Sequence, residues 1–115
     1  MPLDPRDRQA LEDLLRFGRD AVAHVADLTR DAFLEDRKSQ QATMYAIATV
    51  AESTGRLSEA FKAQYQAIPW PMIKGMRNIM LHEYGRVDLP TVYRVATQDL
   101  PALLDEVERI LQEDA

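Results

Sequence analysis

The 115-residue chain has no cysteine. That excludes a disulfide framework and any thiolate metal site, and it suits the reducing cytoplasm where the chain is expected to reside. Four glycines are too few for the many turns of an all-β fold. Aromatic residues make up 7% of the chain against 46% hydrophobic residues in all, so the expected core is aliphatic. No run approaches the roughly 18 apolar residues of a membrane span. The opening Met1-Pro2-Leu3-Asp4-Pro5-Arg6 lacks the apolar segment of a signal peptide. Positive charge is also short: 14 Lys and Arg stand against 19 Asp and Glu, a formal net charge of -5. Phosphate contacts need Lys and Arg, so a chain this acidic is a poor general binder of nucleic acid. Any such contact requires positive charge that is local, or that a partner subunit supplements.

What the chain does have is helical periodicity. Leu11, Leu14, Leu15, Gly18, Ala21, Val22, Val25 and Leu28 recur at spacings of three and four among charged residues. This predicts an amphipathic helix from Pro5 or Arg6 to Thr29, after which Phe33 and Leu34 fold a connecting turn onto the core. A second helical run is expected over residues 36–63, with Met44, Ile47, Ala48, Ala51, Gly55 and Leu57 or Ser58 inward. Ala48, Ala51 and Gly55 form a small-residue stripe that would let a neighbouring helix approach closely, within the fold or across a dimer. Alternatively, Gly55 breaks the run into two helices. Pro69 and Pro71 end it, with Trp70 packing over the start of a further helix from Pro71 to Glu83 or Tyr84. Asp88 and Pro90 suit the start of a last helix, in which Pro101 predicts a kink or break near residues 97–100. The expectation is one domain, residues 1–115, folded as an all-α antiparallel bundle of four to five helices.

One stretch carries chemistry: Gly75-Met76-Arg77-Asn78-Ile79-Met80-Leu81-His82-Glu83-Tyr84-Gly85. It reads as the end of a helix closed by glycine. With Arg77 at the origin of a helical wheel, Tyr84 lies about 20° to one side, Lys74 about 60° away, Asn78 at about 100° and His82 at about 140°. Met72, Ile73, Met76, Ile79 and Met80 share the remaining arc, the expected core face. Histidine titrates near neutral pH and can move a proton, and arginine offers a fixed fork of donors to a phosphate. Together they are adequate parts for phosphodiester cleavage without a metal. A ribose 2′-hydroxyl would be the nucleophile, which restricts the target to RNA. Asn78, one turn before His82, could orient the ring or the phosphate. By spacing alone, such residues are more often ordinary surface charges, as His24 is taken to be. No His/Asp/Glu spacing suits a metal, no glycine loop suits a nucleotide phosphate, and no serine lies in a nucleophile-elbow context. No cofactor is expected.

A resemblance sharpens this reading. Ile68-Pro69-Trp70, Gly75-Met76-Arg77-Asn78, His82-Glu83-Tyr84 and Val87-Asp88-Leu89 resemble the HepT-like branch of the HEPN superfamily, whose signature is Arg-Asn, three residues, His, one residue, Tyr. Residues 36–40, the Ala-rich helix ending Arg56-Leu57-Ser58, and residues 97–104 resemble the same family. The resemblance implies a HEPN-like all-α homodimer and a metal-independent RNase, the toxin of a HEPN/MNT toxin–antitoxin pair. Arg77 and His82 of both subunits would be catalytic at the dimer interface, and Asn78 a polar support. Lys74, on the same helix face, is a candidate substrate contact. An MNT-type nucleotidyltransferase antitoxin would inhibit the enzyme by transferring AMP to Tyr84. The alternative is a non-catalytic HEPN module that assembles with a nucleotidyltransferase.

Overall fold

A computed structural model describes residues 2–114, the side chain of Tyr84 lying outside the described set. The first helix, α1 (Pro5–Val25), begins where Asp4 accepts a hydrogen bond from the Arg6 N–H at 2.7 Å and Pro5 fills the first turn. It buries Ala10, Leu11, Leu14, Leu15, Gly18, Ala21 and Val25, the periodic stripe of the sequence. It stops short of Thr29 because the Thr29 hydroxyl caps a short helix, α2 (Arg30–Glu35), by accepting from the Ala32 N–H at 3.1 Å. That single turn and a half carries Phe33 into the core, against the ring of Tyr93 at 5.4 Å between centroids. The Tyr93 hydroxyl donates to the Leu28 carbonyl at 2.6 Å, which fixes the α1–α2 corner.

Asp36 caps α3 (Arg37–Thr54), accepting from both the Ser39 hydroxyl at 2.7 Å and the Ser39 N–H at 3.2 Å. Those bonds, the hydroxyl first, hold the Asp36 carboxyl below the usual aspartate range. The expected continuous run over residues 36–63 is divided. Helix α3 ends at Thr54 with Gly55 as its cap, and Ser58 caps a separate helix, α4 (Glu59–Gln64). A Cβ on Gly55 would meet only the Glu52 carbonyl of its own chain segment, so no neighbouring helix packs on it and its expected place in a close-packing stripe does not hold. Ala48 and Ala51 are buried as expected. The glycine that does permit close approach is Gly18, where an added methyl would overlap the Leu104 side chain.

After Ile68-Pro69, α5 (Trp70–His82) carries the motif, followed by a 3₁₀ turn (Tyr84–Arg86). The last rod comprises α6 (Leu89–Arg94), a π-helical turn (Val95–Asp99) and α7 (Leu100–Glu113), with helical backbone angles throughout its junctions. The predicted irregularity near Pro101 is this π turn: the Leu100 N–H reaches back five residues to the Val95 carbonyl just before the proline, which has no N–H of its own. Val92, Ala96, Leu100, Val107 and Ile110 keep one face of the rod in the core across the irregular turn.

Four long rods thus make the bundle, with α2 and α4 as short corners, and no strand occurs among the described residues. Helix α3 lies between α1 and α5, α7 packs on α1, and α6 also touches α3. Helix α5 is therefore an edge helix, with α3 as its principal neighbour. Among the described residues no helix is long and apolar enough to cross a membrane.

Candidate active site

The start of α5 is anchored by Trp70, which is buried, lies 5.9 Å from the Phe61 ring and donates its indole N–H to the Tyr65 carbonyl at 3.1 Å. Trp70, Ile73 and Met80 face inward, and Met76 is half-buried. The rest of the expected apolar face is not in the core: Met72 is 71% exposed and Ile79 44% exposed. The physical reason is the edge position. A helix packed mainly on one neighbour buries a narrow stripe, here residues 70, 73 and 80, which centre close to the direction of Arg77 on the wheel. The opposite side, where Met72 and Ile79 lie one above the other at a spacing of seven, is left in solvent.

Arg77 therefore does not stand in the middle of an open polar face. It sits on the flank turned to α3, where its Nε–H donates to Oε2 of Glu52 at 3.2 Å. The pair is surface-accessible, with side-chain exposures of 43% for Arg77 and 63% for Glu52. His82 is the last residue of α5 and is exposed. It lines a shallow cavity of about 390 Å³ with Glu83, Gly85 and Arg86. The helix ends at His82 rather than at Glu83 or Tyr84, and among the described residues none, Gly85 included, has a positive φ. In place of the expected left-handed glycine cap, the chain tightens into the 3₁₀ turn, closed by the Arg86 N–H on the Glu83 carbonyl at 2.8 Å. Wheel positions beyond residue 82 accordingly lose their meaning. The expected modification site, Tyr84, has its backbone in this turn, and its side chain lies outside the described residues.

Lys74 and Asn78 stand on α5, both exposed. No hydrogen bond joins Asn78 to His82, or Arg77 to His82, among the described residues. Five residues apart on one helix, Arg77 and His82 point about 140° from one another. One chain thus places its two principal groups on different sides of the same helix, with exposed Ile79 about one turn before His82 and exposed Met72 about two turns further back.

Three residues that the motif does not contain belong to this surface. Glu52 meets Arg77 from a position 25 residues upstream. Arg86 adds a cation to the wall shared with His82. Tyr45 on α3 is 65% exposed, so among the described residues the exposed large hydrophobic side chains, Tyr45, Met72 and Ile79, belong to the α3–α5 pair. Pairing across 25 residues leaves no sequence signal. For the local excess of basic residues there was one: no Asp or Glu occurs between Glu59 and Glu83, while Lys62, Lys74 and Arg77 do. The local positive charge that a net charge of -5 demanded lies in this segment. No group of three or more His, Asp or Glu side chains able to hold a metal ion occurs among the described residues.

The all-helical bundle, with Arg77, Asn78 and His82 on its edge helix, is consistent with a HEPN-like domain. The family described as ribonuclease HepT-like matches residues 8–110, and the chain belongs to that family. Similar proteins include "Putative RNase MJ1380" of Methanocaldococcus jannaschii, 25% identical over 107 residues that cover 92% of this chain and 98% of that one. "Putative RNase MJ0127" of the same organism is 26% identical over 106 residues, covering 92% and 88%. "Probable ribonuclease HepT" of Thermococcus cleftensis is 26% identical over 107 residues, covering 90% and 97%. No solved structure matches the chain.

Proposed function

We propose that the protein is a metal-independent endoribonuclease that works as a homodimer, the toxin of a HEPN/MNT toxin–antitoxin pair. The observation that carries the reading is the divided site on α5. Arg77 and His82 diverge within one chain, and the side of the helix next to His82 is lined by exposed Met72 and Ile79. A two-fold partner laid against α3 and α5 would cover Tyr45, Met72 and Ile79. It would also supply a second copy of each catalytic group to one cleft. His82 takes the proton from a ribose 2′-hydroxyl, whose oxygen attacks the adjacent phosphorus. As the new bond to phosphorus forms, the bond to the 5′-oxygen breaks, and the second copy of His82 returns a proton to that oxygen. The products are a 2′,3′-cyclic phosphate and a free 5′-hydroxyl. Arg77 bears the charge that grows on the phosphoryl oxygens, while Lys74, Asn78 and Arg86 hold neighbouring phosphates.

A nucleotidyltransferase partner would switch the enzyme off at Tyr84. The phenol oxygen attacks the α-phosphorus of ATP, pyrophosphate leaves, and AMP remains on the ring. A phosphodiester two residues from His82 adds negative charge where RNA must dock. The net charge of -5 favours the competing reading, a non-catalytic module that assembles with the transferase.

The deciding experiment compares purified wild type with His82→Ala on a fluorescent RNA, and co-expresses the chain with and without the nucleotidyltransferase. Cleavage by wild type alone, with growth arrest relieved by the transferase and AMP mass on Tyr84, supports the proposal. RNA left intact by both proteins leaves the module reading in its place. A monomeric wild type that cuts RNA at full rate sinks the shared-cleft part.

A further inference from the structure

We infer that Glu52 is a positioning residue for the proposed nuclease site, holding the Arg77 guanidinium by one edge so that its two terminal nitrogens remain for the RNA phosphate. The inference rests on the nuclease reading and deepens it. Its basis is the single contact between the two side chains, Nε to Oε2 at 3.2 Å. A guanidinium has five N–H donors in a rigid plane. A carboxylate that took both terminal nitrogens would occupy the phosphate fork. Engaged through Nε, with no other partner among the described residues, Arg77 keeps its terminal nitrogens available.

The two helices that carry the contact differ in how they are packed. Glu52 lies in the last turn of α3, the central helix of the bundle, whose neighbouring Ala48, Val50, Ala51 and Ser53 are buried. Arg77 stands on the edge helix, its charge at the end of a long, rotatable side chain. A carboxylate fixed to the inner helix therefore removes freedom from the outer arginine before substrate arrives. Stability is a weak reason for this pair, because both side chains are substantially exposed and such pairs add little to folding. In a segment where no acid occurs between residues 59 and 83, a carboxylate brought in from another helix would repel RNA unless it served the arginine it touches.

Removal of Glu52 should thus divide the kinetic constants. The experiment is steady-state and single-turnover cleavage of a fluorescent RNA by wild type, Glu52→Ala, Glu52→Gln and Arg77→Ala, with Glu52→Ala also placed in the Arg77→Ala background. Glu52→Ala should lower kcat about 10- to 100-fold, the scale of a misplaced catalytic group, with KM unchanged or lower because a negative charge has gone. Glu52→Gln keeps an oxygen that can accept from Nε and should recover most of kcat. In the Arg77→Ala background Glu52→Ala should change kcat by less than about twofold, and its melting temperature should match that of its parent. A wild type that cuts RNA while Glu52→Ala cuts equally well overturns this inference alone. So does a rise in kcat, which would make Glu52 a restraint on Arg77 rather than a guide. A wild type that cuts no RNA overturns the nuclease reading, and this inference with it.

Discussion

Along the seam between α1 and α7, Gly18 lies under Leu104 without room for a methyl group. Ion pairs extend the seam at its rim: Arg8 to Asp114 at 2.5 Å and Arg19 to Glu108 at 3.1 Å. Along the outer side of α5, Met72 and Ile79 stand in solvent, and the helix's one ion pair among the described residues, Arg77 to Glu52, bridges to α3. The first surface is complete within one chain. Nothing added to it could improve the fit. The second carries apolar area that a lone chain gains nothing by displaying, beside the groups with the most reactive chemistry. The packed half centres on α1, which meets both α3 and α7, and the candidate site lies on a helix with one principal neighbour. A surface of this kind can accept a partner without disturbing the core.

The contrast can be broken from either side. The largest effect is expected at α5: His82→Ala should lower RNA cleavage by about 10²- to 10⁴-fold, the usual worth of a general acid or base, while the chemical denaturation midpoint stays that of wild type. A midpoint that falls with activity would place His82 in the fold rather than in the chemistry. Next comes the opposite seam, where Gly18→Val overfills the space beneath Leu104 and should cost about 1–3 kcal/mol in urea titration, with the cleavage rate per folded molecule unchanged. A smaller change is expected from Arg86→Ala. If that cation contacts a phosphate beside His82, RNA affinity should fall several-fold across sequences, and the slope of log affinity against log salt should shrink by about 1. An unchanged slope would leave Arg86 out of the interface.

The smallest effect lies in the pH dependence of the packed half. Burial works to raise the Asp13 carboxyl, but hydrogen bonds from Arg56 and Gln9, with the charges of Arg56 and Arg16, outweigh it and hold the group below its usual 3.8. Asp36 is held below the same value by Ser39. Carboxyls lowered by folding add stability above their unfolded value. That stability is lost as pH falls through their lower, folded values, so the protein should weaken below about pH 3.8. Asp36→Asn should flatten that part of the stability–pH curve. A curve indistinguishable from wild type between about pH 2 and 4 would show that the Asp36 cap does not carry it.

Much of this architecture is local, and therefore legible. Pro101 sets its irregular turn against its own neighbours; Asp4, Thr29, Asp36 and Ser58 cap helices by bonds that span two or three residues, though periodicity named none of them, and Asp88, the residue expected to cap, makes no side-chain bond to a backbone N–H of α6. The glycines were harder. Gly55 and Gly18 both occur at helical spacing among small or apolar residues, yet one ends a helix and the other lies under a leucine 86 positions away. Buried Asp7 gave no signal at all: its carboxylate accepts from the Ser58 N–H and hydroxyl, each at 2.7 Å, tying α1 to the start of α4. Periodicity assigns faces, but it cannot count the neighbours that will cover them. Met72 and Ile79 fall on the apolar arc of α5 and remain in solvent, because the bundle places no helix there.

By itself, the sequence determined the all-helical class, the aliphatic core and the Arg-Asn-His motif on one short helix, because each depends on composition or on residues within a few positions of one another. Only the tertiary structure decided that α5 would be an edge helix and that Arg77 would turn toward α3 and meet Glu52. Those outcomes depend on which helices pack together, and packing is a property of the whole chain that no single periodicity contains.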